Sequence, residues 1–276
     1  MTIAALPWPW PRVLFASSAC VLTIGLSSPA AAKQADDGFT ISPAPEVERN
    51  NRDHVVVGMG TMVLPQFQGS RDFQVQPALV IDVEQGRFFA KAGEGIGLYL
   101  INQEKLQAGV SVTWMLGYDR KDVPDGIGKL NDTFGGRAFV TGQVAGFTGN
   151  LSVTSPVFGG DAKGVIVNAR ISRSFRLSEK VTISPGIGVS WADAKHLRRY
   201  FGVDEEQSAA SGLPIYRPSS GFKDVDARLA VSYRLTQRVN LVGVGMLVRN
   251  LDRVADSPFN QRGWSPMAVL GFGYAF

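Results

Sequence analysis

The sequence predicts an all-β fold: a transmembrane antiparallel β-barrel of about twelve strands with long extracellular loops. Three observations support this prediction. The last strand alternates large apolar residues with small ones, a secretory leader opens the chain, and many segments between them alternate with the two-residue period of a strand. Because no apolar run after the leader is long enough for a transmembrane helix, any crossing of a membrane must be made by strands.

The final segment, Trp264–Phe276, carries the clearest pattern. Its apolar face consists of Ala268, Leu270, Phe272, Tyr274 and Phe276. The opposite face is mostly small, which resembles the closing strand of a bacterial outer-membrane barrel. We therefore expect Phe272, Tyr274 and Phe276 to form the signal that the barrel assembly machinery reads. The alternative is the last strand of a soluble β-sandwich, which would seldom end on so apolar a face.

The N-terminus has the composition of an export signal. Arg12 is its only charged residue, the apolar run Val13–Leu26 is too short for a spanning helix, and small residues follow up to Ala32. We expect a signal peptide over residues 1–32, removed after about Ala32. Cys20, the only cysteine, lies inside it, and Ser17 stands where a lipoprotein signal would have an aliphatic residue. Cleavage would leave no cysteine for a disulfide or a metal site.

The remainder of the chain is predicted to form one domain. Residues 33–52 are polar, with two prolines, and we expect a flexible periplasmic segment there, followed by the barrel over residues 53–276. The formal net charge of +4 is spread along the chain without the basic block of a nucleic-acid-binding protein. We therefore expect a protein of the outer membrane of a Gram-negative bacterium, in contact with lipid and lipopolysaccharide and not with nucleic acid.

Alternation predicts ten clear strands and two doubtful ones. The clear strands are residues 53–64, 73–83, 105–118, 134–146, 150–158, 164–175, 181–191, 222–235, 238–249 and 264–276. The joins are alternately short and long, and short joins mark the periplasmic side. This alternation holds only if Arg87–Ile101 forms two further strands that turn near Gly93–Gly95, which gives twelve. One bent strand there would give eleven, and two strands of about six residues are shorter than the 9–11 that span a membrane.

Aromatic residues test this topology, because membrane barrels carry aromatic girdles at both interfaces. The outer set on the apolar faces consists of Trp114, Tyr118, Trp191 and Trp264. The inner set consists of Phe175, Tyr233, Tyr274 and Phe276. Since a soluble sandwich would scatter its aromatic residues along the strands, two belts favour a membrane barrel.

The faces opposite the apolar ones point into the lumen and carry charge. The predicted lumen charges are Arg137, Arg170, Asp224, Asp226, Arg228 and Arg234. We favour the interpretation that they pair across a filled interior, since side chains can still obstruct a barrel of this size. A charged ring that selects ions or small solutes is the alternative.

The chain offers little for catalysis. Its two histidines are His54, which opens the first strand, and His196, which lies in the long loop after the 181–191 strand. Serines and acidic residues near His196 are the types that a hydrolase at the barrel rim would use, but such sets are common in loops. The basic run Lys195–Arg199 offers another function, contact with lipopolysaccharide phosphates. We predict no enzyme, no cofactor and no metal site.

Loop motifs make the chain similar to a known family. The motifs are Tyr200-Phe201-Gly202-Val203, Gln207-Ser208, Ser211-Gly212-Leu213-Pro214-Ile215-Tyr216 and Asp256-Ser257-Pro258. They resemble the MltA-interacting protein family, also called the MipA/OmpV family. The resemblance implies an outer-membrane barrel without known catalytic residues. For part of the family it implies a scaffold that joins a murein-cleaving lytic transglycosylase to a murein synthase, and for other members a porin-like protein or a surface antigen.

The same loop has a physical interpretation. Gly212 and Pro214 favour a turn, and Tyr200 and Phe201 can pack the loop against itself. Ala192–Gly221 is long for a structureless connection, so we expect an ordered plug over or in the barrel mouth, or a partner surface. A mobile surface loop is the alternative. The predicted function is a non-enzymatic scaffold linked to murein synthesis and hydrolysis, with a small-solute channel restricted by this loop as the alternative.

Overall fold

The computed structural model describes residues 53–158 and 163–276. The predicted signal peptide and the predicted periplasmic segment lie outside these residues, as does Cys20. No helix within the described ranges is long and apolar enough to cross a membrane. The described chain folds into thirteen strands and three short helices.

The ends of the predicted strands differ from the observed ones by a few residues only. The strands are β1 (His54–Pro65), β2 (Phe73–Gln85), β3 (Phe88–Lys91), β4 (Gly95–Gln103), β5 (Leu106–Met115), β6 (Thr133–Val144), β7 (Phe147–Phe158), β8 (Ile166–Arg173), β9 (Phe175–Arg176), β10 (Val181–Ala192), β11 (Gly221–Arg234), β12 (Val239–Asn250) and β13 (Trp264–Ala275). The helices are α1 (Ala194–Phe201), α2 (Glu205–Ser211) and α3 (Asp252–Ala255).

The strands form one closed antiparallel sheet, in which β13 completes the ring by pairing with β1. β8 and β9 both pair with β10 and are separated only by Ser174, so they form one interrupted barrel strand. The predicted barrel of twelve strands is therefore confirmed. Arg87–Ile101 is resolved into β3 and β4, which have four and nine residues rather than equal lengths.

Burial along the strands follows the predicted alternation. In β5, Val110 and Val112 are 45% and 43% exposed on the outer surface, whereas Ser111 and Thr113 are buried inside. An apolar outer surface of this kind is what a membrane barrel presents to lipid. The outer face of the sheet is thus the face that contacts the membrane.

The aromatic girdles are present, with one correction. Trp114 and Trp264 are exposed near the end of the barrel that carries the long loops, and Tyr233 and Phe276 are exposed at the opposite end. Tyr118 was predicted in the outer girdle, but it is 5% exposed and packs inside the loops. The prediction was wrong because β5 ends at Met115, and the alternation of a strand has no meaning beyond its end.

The lumen has one apolar wall and one polar wall. The buried apolar cluster consists of Met62, Leu64, Ala78, Val80, Ala92, Val242, Val244, Met246, Val248 and Val269. These residues come mainly from β1, β2, β12 and β13, around the closing seam. The inner faces of β7, β8 and β10 carry serine, threonine, asparagine and arginine instead.

The closing seam between β1 and β13 is lined by glycine. Gly58 pairs with Gly273, and Gly60 pairs with Gly271. A Cβ atom on Gly58 or Gly60 would overlap a backbone carbonyl oxygen of β13. The two strands can approach this closely because their inward positions lack side chains.

Candidate functional site: a capped and charged lumen

Four loops pack together over the end of the barrel that carries the long connections. They are residues 66–72, 116–132, 193–220 and 251–263. Their shared apolar cluster contains Phe67, Tyr118, Val123, Ile127, Leu130, Val203 and Phe259, with Tyr200, Leu213 and Tyr216 at its margin. We call these four packed loops the cap. Burial in this cluster raises the pKa of Tyr118 to about 12.

Helix α1 anchors the longest loop to the barrel. The Asp193 side chain caps the helix by accepting a hydrogen bond from the His196 backbone N–H at 2.8 Å. Leu197 is fully buried and Phe201 is 4% exposed, in a cluster with Ala192 at the end of β10. His196 is 2% exposed and its ring stacks on Tyr200 with 4.2 Å between centroids, so its position is that of a packed core residue.

The loop motifs on either side of helix α2 form a compact folded unit. Asp204 and Gln207 form a capping box at its start, and Gly212 ends it in the left-handed conformation with φ of 73°. Val203 and Tyr216 then pair through two backbone hydrogen bonds of 2.9 and 2.8 Å. The predicted loop residues therefore lie in one folded unit. They are Tyr200, Phe201, Gly202, Ser211, Gly212, Leu213, Pro214 and Tyr216.

This unit is tied to the other loops by side-chain hydrogen bonds. Gln207 Nε2 donates to the Ile127 carbonyl at 2.7 Å, and the Tyr216 hydroxyl donates to the Arg253 carbonyl at 2.8 Å. Ser257 Oγ donates to the carbonyl of Phe201 at 2.7 Å. The cap is thus built by several loops, whereas the sequence pointed only to the longest of them.

A buried polar network lies beneath the cap. Lys223 Nζ lies 2.9 Å from Asp224 Oδ2 and donates to Gln68 Oε1 at 2.9 Å. Gln68 Nε2 in turn donates to Asp224 at 2.7 Å and to Asn250 at 2.9 Å. Lys223 and Asp224 are both 2% exposed, and each is the partner of opposite charge that the other needs in so buried a place.

Lys223 is a residue that strict alternation misplaces. Asp224 points into the lumen, so its neighbour should face lipid. A bulge between Ser190 and Trp191 of β10 breaks the register with β11, because Ser190 pairs with Asp224 and Trp191 with Phe222. The extra residue, Lys223, turns inward beside Asp224. A lysine on an otherwise apolar face was the available signal for this bulge.

Deeper in the lumen, an ion pair spans three strands. Arg170 of β8 and Asp226 of β11 both lie in register with Gly188 of the intervening strand β10. The Arg170 Nη2 atom lies 3.3 Å from both carboxylate oxygens of Asp226. A Cβ on Gly188 would overlap the Asp226 carboxylate. The two side chains can meet because Gly188 leaves the space between them empty.

The remaining predicted charges also face inward. Arg137 is 8% exposed, lies 3.9 Å from Glu94 and has its guanidinium 4.7 Å from the Phe139 ring centroid. Arg228 and Arg234 are half-buried on the inner face of β11. The structure therefore places all six predicted lumen charges inside the barrel.

A second charged cluster lies near the short-turn end and was missed. Glu84 pairs with Lys91, and the Tyr99 hydroxyl bridges them, accepting from Lys91 Nζ and donating to Glu84 Oε1 at 2.8 Å each. The Tyr99 ring packs on Phe89 with 4.7 Å between centroids. Lys91 and Tyr99 lie on β3 and β4, which were predicted as strands of only about six residues, and Glu84 lies one residue past the predicted end of β2.

Glu84 of this cluster and two residues beside it have side chains of the types that bind metal ions. The ligand atoms of His54, Asp82 and Glu84 lie within 4.8 Å of one another. The His54 ring nitrogen is already 3.0 Å from Asp82, and Glu84 is paired with Lys91. Since both carboxylates have partners, the geometry is that of a charge network rather than of an open metal site.

A cavity of about 100 Å³ lies between the cap and the lumen. Its walls come from the cap residues Phe67 and Tyr200, the chain after β5 at Leu116, and the inner face of β2 at Gln74. Lys223 of the polar network forms part of its lining. The outer half of the lumen is therefore partly enclosed rather than filled throughout.

Comparison with known proteins agrees with this architecture. The family model "MltA-interacting protein MipA" matches residues 57–276. The MltA-interacting proteins of Escherichia coli (strain K12) and Shigella flexneri are each 28% identical over 228 residues, which cover 80% of this chain and 89% of the relative. The 24 kDa outer membrane protein of Pasteurella multocida (strain Pm70) is 23% identical over 242 residues, 83% of this chain and 92% of that one.

Among solved structures, the NanC porin aligns with 80% of this chain and 98% of its own, at 5% identity and a TM-score of 0.43. The closed sheet, its apolar outer face and the outer-membrane relative together place the protein in the bacterial outer membrane. The match over residues 57–276 spans nearly the whole barrel, and the chain belongs to the MltA-interacting protein MipA family.

Proposed function

We propose that this protein is a non-enzymatic scaffold of the outer membrane, which binds a murein-cleaving lytic transglycosylase, and with it a murein synthase, on the periplasmic side. The main support for the proposal is 28% sequence identity, over 80% of the chain, to relatives named MltA-interacting protein. The cap supports it, because packed loops cover the outer mouth. The short-turn end, which faces the periplasm in bacterial barrels, is the surface left for a periplasmic partner.

The periplasmic rim has the charge of a contact surface. Its exposed basic residues are Arg87, Lys105, Arg173, Arg176, Lys180 and Arg238. Its exposed acidic residues are Asp53, Glu104 and Glu179. Among the described residues of the rim, the excess of positive charge favours a partner with an acidic surface, and such complementarity mainly raises association rate and selectivity.

A pull-down from solubilised envelopes tests the scaffold. The triple variant Lys105→Glu, Lys180→Glu, Arg238→Glu should lose captured lytic transglycosylase and murein synthase. The matched control reverses three exposed charges of the cap, Arg120, Lys121 and Lys129, and should retain both enzymes. If wild-type protein captures neither enzyme, or if only the cap variant loses them, the scaffold proposal is wrong.

The non-enzymatic part has its own test. His196 is the histidine closest to serines and acids in the sequence, and its buried, stacked position gives it a packing role. Purified protein should release no fatty acid from phospholipid or lipopolysaccharide. A hydrolytic activity that His196→Ala abolishes would make the protein an enzyme.

A loop-restricted channel is the second candidate, favoured by the cavity beneath the cap and by the inward charges of the polar wall. Planar-bilayer conductance separates the two functions. A channel restricted by the cap should conduct weakly, and deletion of residues 197–214 should raise its conductance. If neither protein conducts, the channel is excluded; if wild type already conducts as an open porin, the restriction is excluded.

A further inference from the structure

The β3–β4 hairpin is much shorter than the strands on either side of it. β2 has thirteen residues, but it pairs with β3 only through Asp82–Gln85. On the other side, β4 pairs with β5 no further than Val112, and β5 continues to Met115. The neighbouring β5–β6 pair, in contrast, runs the full length of β5. The hairpin turn, residues 92–94, therefore lies part of the way up the barrel wall.

Above this turn the wall has a gap. Within the described residues, Phe73–Val80 of β2 has no strand partner on the side that faces the hairpin. Thr113–Met115 of β5 lacks a partner on the facing side as well. The two missing strand segments leave a notch, two strands wide at its full extent, that opens toward the cap. We call it the side notch.

The side notch lies at the depth of the membrane. Phe73, Val75 and Leu79 point outward along the β2 edge, and they are 40%, 70% and 50% exposed. Trp114, a girdle residue, lies on the β5 edge. Because these side chains belong to the lipid-facing belt, the side notch lies at the level of the outer leaflet, and the edge N–H and C=O groups, which lie in the plane of the sheet, point into the notch rather than into hydrocarbon.

The cavity beneath the cap lies directly behind the side notch. Gln74 comes from the notch edge of β2, and Leu116 and Gly117 continue the notch edge of β5; all three line the cavity. The cavity and the notch thus share both walls. Above the cavity is the cap, and beside it is the buried network of Lys223 and Asp224.

We propose that this cavity binds a small, uncharged, largely apolar molecule, which enters sideways from the outer leaflet through the side notch. The enclosed volume of about 100 Å³ is about two thirds of the roughly 150 Å³ of an apolar cavity that binds benzene, so a molecule with one or two small rings fits when part of it remains in the side notch. An uncharged ligand is favoured because Lys223, the lysine in the cavity lining, already has Asp224 as its counter-charge at 2.9 Å. Gln74 on the notch edge gives the site a polar group, because its Oε1 accepts from Gln76 Nε2 at 2.8 Å and has a second lone pair that can accept from a hydroxyl or amide of the ligand.

Photolabelling tests the site and its direction of entry. The full-length barrel is reconstituted in phosphatidylcholine vesicles with a phenyl-diazirine probe, either free or attached to a phospholipid acyl chain. Both forms should label peptides that contain residues 64–68 and 116–118, and excess indole should compete with the free probe. If the lipid-attached probe labels only outward-facing residues, sideways entry is wrong. If the free probe fails to label these peptides saturably, the binding site is wrong.

Variants provide the matched comparison. Leu116→Trp fills the cavity and should weaken indole competition at least about tenfold. Ile187→Trp places the same ring on the outer surface of β10, across the barrel from the notch, where Ile187 is 63% exposed, and should leave competition unchanged. Gln74→Trp fills the cavity from its other wall and replaces Leu116→Trp if that variant loses its heat-modifiable folded form. Unchanged competition in a folded cavity variant overturns the proposal.

Discussion

Gly188 decides which charges can meet inside the lumen. It contributes no side chain, and this absence allows Arg170 on one neighbouring strand to reach Asp226 on the other. The Asp226 side chain is 6% exposed, so the Arg170 guanidinium, rather than water, is the main neighbour of its carboxylate. A glycine that shows no functional signal in the sequence therefore allows an ion pair to form in the polar wall.

Substituting Gly188 tests this dependence. Gly188→Ala should separate the ion pair and lower the free energy of unfolding by about 1–3 kcal/mol, because the Asp226 carboxylate would lose a buried hydrogen-bond partner. Urea unfolding of the refolded barrel measures the change. Gly245→Ala is the control, since a Cβ there meets no atom within 4 Å. Equal stability of the two variants would show that the pair tolerates a methyl group.

Among the strands, β5 shows how the outer and inner faces differ in what they tolerate. Val110, in the middle of the strand, faces lipid, and Gln107 faces the lumen. Val110→Arg should lower the yield of folded barrel, because a charge near the bilayer midplane costs about 2–4 kcal/mol. Gln107→Arg should fold normally. The heat-modifiable fraction on gels measures both, and equal losses would contradict the assigned faces.

Helix α1 of the cap has a separate role, because it holds a loop rather than the wall. Leu197 is fully buried between the loop and the end of β10, and Leu197→Ala should cost about 2–5 kcal/mol locally. We expect residues 193–220 to become cleavable by added protease while the barrel stays folded. Ile215→Ala, at a position that is 52% exposed, should remain resistant. A loop that is equally protected in both variants would argue against α1 as its anchor.

For the whole molecule, the proposed assembly signal lies at the open rim of the closing strand. Phe276 is 84% exposed, its backbone N–H donates to the Val55 carbonyl at 3.1 Å, and its ring contacts Tyr274. Phe276→Ala should reduce outer-membrane insertion without preventing export, as measured by heat-modifiable barrel in envelope fractions. Leu235→Ala, another exposed residue of the same rim, is the control. Normal insertion of the Phe276 variant would remove this residue from the signal.

The barrel could be predicted because the features that define it, strand alternation and loop length, lie in short stretches of sequence. Lipid on one side and a lumen on the other impose a two-residue period, and loop lengths then count the strands, including the short β3 and β4. Strand alternation misplaced two residues, Lys223 and Tyr118. A bulge turns Lys223 inward, and Tyr118 lies beyond the last residue of β5. The sequence marked the bulge only by a lysine on an otherwise apolar face, and it did not mark the end of β5.

The cap could be predicted in part, because loop length and composition are local features of the sequence. The length and composition of Ala192–Gly221 indicated a folded loop, but the loop's partners come from three other connections. Contacts such as Gln207 with Ile127 join residues eighty positions apart, and no periodicity reports them. The side notch could not be predicted from the sequence either, because it depends on where strand pairing ends rather than on which residues alternate.

The glycine seam has a consequence for how the barrel forms. Every other pairing joins strands that are close along the chain, whereas Val56 and Ala275 come from opposite ends of the described fold. Contacts between distant residues form slowly, so closure of the ring is the expected last step of folding. At Gly58 and Gly60 that step needs no interlocking of side chains, only alignment of two backbones. The rate of barrel closure is then limited by the alignment of β1 with β13 in the correct register, rather than by repacking of side chains between them.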